Sequence, residues 1–289
     1  MALASTEPQA SVRLPLALSA DALVEGQRRS ILRTLLERDG TDPWIRYAVF
    51  TSLDGDAAAL VDEWLADPAR LAGRGAAAAL PGLVAQVGRK HDATELSRIV
   101  AGIARIADDP APGAADTRPA ATILLDELSR ALSATGSDLA GIEPAAETAA
   151  LISRLGAFNR GVALDRGAEA ARRIRAIRGV ADPASLGRLL AAEEPTEVVR
   201  AAIDALEQSR DPAAGATLVS ALPRLSPEAR RAAATALSRD GRRAILLLDA
   251  IAAGAMPAED LDRQTAATLW AFPDGAVSGR AAEVLGPPP

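Results

Sequence analysis

The residues able to do chemistry are few. His91 is the single histidine. It sits between Lys90 and Asp92 with Ser97 nearby, the parts list of a Ser/His/Asp hydrolase, in which the histidine takes the serine proton and a carboxylate orients the ring. The surrounding charge and the following Thr94-Glu95 read more simply as an exposed loop entering a helix, and no oxyanion-binding group accompanies them. Gly73-Arg74-Gly75 opens like a phosphate-cradling turn, but it lacks a third glycine and a preceding strand, so it reads as a break between helices. Glu193-Glu194, Asp108-Asp109 and Glu259-Asp260-x-Asp262 are candidate metal ligands. A divalent ion needs several oxygens converging from different segments. The first and last of these groups lie instead at predicted helix starts, where negative charge complements the dipole, and Asp109 precedes a proline.

Arginine and tryptophan are the less ordinary signals. Arg160, Arg166, Arg172, Arg173, Arg175 and Arg178 face only Asp165 and Glu169 in their stretch, a local balance of +4. Arg224, Arg230, Arg231, Arg239, Arg242 and Arg243 stand likewise against Glu228 and Asp240. Lined along one face they would attract phosphate or an acidic partner; distributed, they are solvated faces and interhelical ion pairs. Nucleic-acid binding calls for a broad basic footprint and, for single strands, stacking aromatics. A net charge of −6 and an aromatic content of 2% argue against it. Trp44, directly after Pro43, and Trp270, beside Phe272, are candidate partner anchors, because tryptophan is favoured at binding hot spots. Packing between helices is the plainer role for these two and for Trp64.

Composition narrows the remaining choices. With no cysteine there is no disulfide, thiol nucleophile, cysteine-bound zinc or covalently attached haem, and one histidine excludes zinc held by two or three. No cofactor is expected. No apolar run is long enough to span a membrane. The segment Leu14 to Ala20 after Arg13 has the flavour of a signal peptide, but it is short and Glu7 stands where positive charge belongs. A core so poor in aromatics must be filled by Leu, Ile, Val and above all Ala, which favours close-packed helices over sandwiches or barrels.

Proline placement shows where the helices begin. Asp42-Pro43, Asp67-Pro68, Asp109-Pro110, Asp182-Pro183 and Asp211-Pro212, with Glu194-Pro195, Ser226-Pro227 and Met256-Pro257, each mark a predicted helix start: the polar side chain accepts from free N–H groups and proline suits the first helical position. After Pro195, Val198, Val199, Ala202, Ile203 and Leu206 form one apolar stripe. The helices read as about 10–15 residues with short joints. The tail also repeats. Asp182–Arg210 and Asp211–Arg239 are units of equal length, each opening on Asp, carrying paired aliphatics at matching positions (Leu189-Leu190, Leu218-Val219) and closing on Ser-Arg. A third opens at Asp240 with Leu247-Leu248 in the same place. A fixed period near 30 residues with two helices per unit is the signature of a helical solenoid.

An aliphatic or small residue followed by Arg near a helix start recurs at Arg13, Arg46, Arg200 and Arg230. The block from Pro195 to Leu206 is similar to the second helix of HEAT repeats, with Asp42 to Leu53 a looser copy, so the chain resembles the HEAT-repeat superfamily over residues 8–66 and 168–270. More narrowly, Gln27 to Leu32, Asp42 to Val49 and Arg242 to Ile251 resemble the HEAT region of large bacterial multidomain proteins, in which a dehydrogenase-like β-propeller precedes and a haem-binding cytochrome c domain follows. The present chain carries neither strand runs nor a Cys-x-x-Cys-His motif, so no redox role comes to any residue here. The expectation is an all-α solenoid of antiparallel helical hairpins: N-terminal repeats over 1–106, an irregular joint at 107–118 and C-terminal repeats over 119–289, together forming one continuous solenoid. Its expected role is non-catalytic, a scaffold binding a protein partner or a spacer joining flanking domains. Arg13, Trp44, Arg46, Arg200 and Arg230 are the candidate partner-binding residues. Alternatively the arginines pair with neighbouring acids and hold the stack together. The competing reading is a HEAT-type nucleic-acid-binding or DNA glycosylase-like protein with a carboxylate and a tryptophan in an Arg-lined groove.

Overall fold

The computed structural model describes residues 4, 6–53, 55–108 and 116–288. Among them every regular element is helical, seventeen α-helices with four short 3-10 turns and no strand. The chain forms two compact units, Met1–Leu155 and Gly156–Pro289, and each has its own hydrophobic core. Residues 109–115 of the expected joint, including Asp109-Pro110, lie outside the described residues. The helices that flank the joint, Ala93–Ile106 and Arg118–Ala134, pack against each other within the first unit.

The first unit contains α1 (Ala10–Leu18), α2 (Glu25–Asp39), α3 (Pro43–Ser52), α4 (Ala57–Leu65), the single turn α5 (Pro68–Leu71), α6 (Arg74–Lys90), α7 (Ala93–Ile106) and α8 (Arg118–Ala134). The division between the units falls within α9 (Ala145–Leu164). Helix α1 packs on α3 and both pack on α2, while α2 packs on α6 and α6 on α8. Helix α3 starts where Asp42-Pro43 predicts: the Asp42 carboxylate accepts from Trp44 N at 2.8 Å and Ile45 N at 3.2 Å. It buries Ile45, Ala48, Val49 and Ser52, a 3.6-residue stripe that turns positions 44, 47 and 51 the other way. Gly75 is explained by packing. A Cβ there would meet Leu36 O at 2.2 Å and Glu37 O at 2.3 Å, so the start of α6 runs against the end of α2 backbone to backbone.

The second unit continues with α10 (Ala170–Ile177), α11 (Pro183–Arg188), α12 (Thr196–Gln208), α13 (Ala213–Ala221), α14 (Pro227–Leu237), α15 (Gly241–Ala252), α16 (Arg263–Trp270) and α17 (Gly275–Leu285). Each repeated segment therefore holds two helices, α11 with α12 and α13 with α14. Contacts skip alternate helices: α10 packs on α12 and α12 on α14, while α11, α13, α15 and α17 pack in succession. Residues about one repeat apart also meet. Thr235 Oγ1 lies 3.1 Å from Thr265 Oγ1, and Arg230 pairs with Asp260 at 2.5 Å. A Cβ on Gly187 would meet Thr217 at 2.8 Å.

Several expected helix starts move. Met256-Pro257 begins only the 3-10 turn Ala258–Asp260, because methionine offers no acceptor; α16 waits for Asp262, whose carboxylate takes Thr265 N at 2.8 Å. At Glu194-Pro195 the first helical residue is Thr196, and Glu194 turns inward. Helix length runs from four residues in α5 to twenty in α9, wider than the expected range.

Candidate interaction surface

The enzyme-like constellations are not assembled among the described residues. His91 caps the C-terminus of α6 in a left-handed conformation, φ 58°, a region in which His is enriched among non-glycine residues. Its Nε2 meets Thr135 Oγ1. The Thr135 hydroxyl also lies 2.9 Å from Leu132 O and 3.3 Å from Ala131 O, the ordinary back-bonding of a threonine at a helix end. The Asp92 carboxylate accepts from Glu95 N as the cap of α7, and neither Ser97 nor Asp92 hydrogen-bonds the ring. His91 and Ser97 border an open cleft of about 710 Å³ together with Arg98, Asp138 and Glu143. Both of those acids cap helical turns, accepting from Gly141 N and Ala145 N. No group of three or more histidines and carboxylates among the described residues is placed to hold a metal ion. No described helix is long and apolar enough to cross a membrane.

The acidic groups are taken up structurally. Asp260 pairs with Arg230 and Asp262 caps α16. Glu194 is buried, receiving Arg173 Nη2 at 2.6 Å and Arg166 Nε at 2.8 Å. Burial pushes its carboxyl pKa up, but the two arginines outweigh this and hold it below the ordinary glutamate value.

The candidate arginines divide by direction. Arg13 is buried and grips Asp39 with two hydrogen bonds of 2.7 Å while donating a third to Glu7 O; the bond to Asp39 raises its pKa further. Arg46 Nη1 reaches Gly40 O at 2.7 Å. Asp39 and Gly40 are the last residue and the C-cap of α2, whose free carbonyls and dipole favour cations. Arg230 donates to Leu222 O and Leu225 O just past α13. Two members of the arginine-rich stretches do the same: Arg243 reaches Leu206 O, Glu207 O and Ser209 O at the end of α12, and Arg173 reaches Ala163 O near the end of α9. Arg200 alone of the four candidates points outward, in an i,i+4 pair with Asp204. The two arginine-rich stretches split in the same way. Arg166, Arg173, Arg230, Arg239 and Arg243 bind carboxylates or carbonyls within the unit, whereas Arg175, Arg178, Arg224, Arg231 and Arg242 are exposed.

The tryptophans also differ. Trp64 is fully buried, and half-buried Trp270 donates its indole N–H to Gly286 O at 3.0 Å. Trp44 is 73% exposed. No model of a known protein family matches the chain, and no curated protein matches it. The surface around Trp44 is therefore read from its own chemistry. Tyr47, one turn along α3, is 67% exposed, and Thr51 continues the stripe. On adjoining α1, Ser11, Val12, Pro15 and Leu18 are exposed. The charged residues of these two helices are Arg13 and Arg46, and both are drawn toward the end of α2. Among the described residues the outward side of α1 and α3 thus carries no exposed charge, in a chain whose residues are 24% charged; the half-buried Asp42, which caps α3 beside Trp44, stands at its edge. Sequence reading found Trp44 and passed over Tyr47, Val12 and Leu18. The available signal was the spacing of Trp44 and Tyr47, three apart and opposite the Ile45, Ala48, Val49 stripe.

Proposed function

We propose that the chain is a non-catalytic interaction module, built of HEAT-like helical hairpins stacked as a solenoid, that binds another polypeptide through the uncharged face of α1 and α3. The observation that carries this reading is the exposed Trp44–Tyr47 pair on a surface emptied of charge. Interface cores are depleted of charged residues and enriched in aromatics, and a large exposed apolar patch on a folded unit marks a contact site. The stacking is supported by the repeated helix pairs of the second unit and by contacts between residues one repeat apart. The resemblance to large bacterial redox proteins adds a placement for such a module, between other domains. A Cys-x-x-Cys-His in the downstream coding sequence would support that placement.

The experiment is site-specific photocrosslinking. A photoreactive amino acid at Thr51, on the stripe but outside the aromatic pair, is expected to join the protein to a polypeptide in producing cells. The adduct should disappear when Trp44→Ala and Tyr47→Ala are combined. Absence of any adduct, or an adduct indifferent to both substitutions, overturns the reading.

A further inference from the structure

We propose that the occupant of the α1–α3 face is a second copy of the same chain, forming a reversible two-fold dimer; this rests on the polypeptide-binding reading above. Three observations select this occupant. The first is charge. A two-fold interface sets a patch against itself, so every exposed charge near the axis meets its like. Here the arginines are turned to Asp39 and Gly40, and the half-buried Asp42 is spent on the N–H groups of Trp44 and Ile45 at one edge, so an axis through Tyr47 and Thr51 meets no exposed charge of the described residues.

The second is chemistry. Trp44 and Tyr47, on one side of a helix, present ring faces that pack on the same rings of a copy, and such aromatic pairs favour offset or edge-to-face arrangements. Val12, Pro15 and Leu18 on adjoining α1 are apolar, and Thr51 already donates its hydroxyl to Ala48 O at 2.8 Å within α3, so none of them requires a polar partner.

The third is area. The exposed parts of Trp44, Tyr47, Leu18 and Val12, with exposed Pro15 and Pro43, amount to on the order of 500 Å² per copy, or about 1,000 Å² for the pair, the lower bound of a specific interface. Interfaces of that size belong to the weak, transient class, and the dimer is proposed with a dissociation constant on the order of 10 µM.

The test is sedimentation equilibrium of the full chain from about 1 to 200 µM, spanning that constant. The wild type is expected to pass from monomer to dimer across the range. Acrylamide quenching of tryptophan should fall over the same range, because Trp44 is the exposed tryptophan and becomes covered. Trp44→Ala combined with Tyr47→Ala is expected to weaken association at least tenfold. Thr51→Glu, which keeps both rings and adds a like charge to each copy, should do the same. Circular dichroism should be unchanged in both variants, since the altered side chains are exposed. A wild type that stays monomeric throughout overturns the dimer, and so does a dimer that survives these variants. If the monomeric wild type still yields a different protein at Thr51 in the crosslinking experiment, the second-copy inference falls and the polypeptide-binding reading stands. If neither association nor an adduct is found, both fall.

Discussion

Glu194 illustrates how a side chain that looks like a surface acid becomes a structural centre. Its carboxylate joins Arg173, itself buried and anchored to Ala163 O, to the more exposed Arg166. Removing one partner of a buried ion pair leaves the other charge uncompensated, which costs about 3–5 kcal/mol. Glu194→Ala should accordingly lower the melting temperature of the second unit by on the order of 10 °C at neutral pH, measured by thermal denaturation. The pH dependence has a definite sign. The folded pKa lies below the unfolded one, so the stabilisation is complete above the unfolded value of about 4.3 and is lost as pH falls through the folded value. The gap between wild type and variant should therefore be full at pH 7 and shrink in acid; a gap that widens in acid would contradict the assignment. Trp44→Ala, by contrast, should change stability by no more than about 0.5 kcal/mol, because it removes an exposed side chain.

Helix ends account for most of what could be read in advance and most of what could not. Caps are local chemistry, so Asp42, Asp182 and Ser226 stand where Asp-Pro and Ser-Pro place them. Asp182 accepts from Ser185 Oγ, Ser185 N and Ala184 N; the hydroxyl bond is the main reason its pKa is lowered. Asp182→Ala should cost about 1 kcal/mol, visible as a lower denaturant midpoint with unchanged slope. The all-helical class and the paired helices of each repeated segment were legible for the same reason, since cap, proline and apolar stripe all lie within one turn or two. For Arg13, Arg46 and Arg230 the sequence left two roles open, contact with a partner or pairing within the stack, because the groups they reach are the ends of other helices and no local pattern reveals which carbonyls lie within reach. Gly75 was equally opaque: its role depends on Leu36 and Glu37 approaching it from α2. Gly75→Ala should destabilise the first unit by at least about 2 kcal/mol, since backbone rather than a flexible side chain stands in the way. Amide exchange accelerated in α2 and α6 would check it.

Charge is divided unevenly along the chain. The first unit has 15 basic and 21 acidic side chains, the second 17 of each, so the whole net charge of −6 belongs to the unit that carries the uncharged face. This arrangement separates two effects that usually vary together. The contact surface of α1 and α3 contributes apolar burial, which depends weakly on moderate salt, while the acidic remainder of the unit repels its like over roughly a Debye length, about 10 Å at 0.1 M. Self-association should then strengthen as sodium chloride rises from about 0.02 to 0.3 M, because screening removes the repulsion and leaves the aromatic contact intact. A basic partner drawn to the acidic unit would behave oppositely, weakening over the same range. Sedimentation equilibrium across that salt series reads the difference directly. Tightening is expected of wild type; Thr51→Glu, which carries the repulsion into the contact itself, should show the steeper dependence. A dimer that loosens with salt would mean that ion pairs outside α1 and α3 hold it, and would remove Trp44 and Tyr47 from its centre.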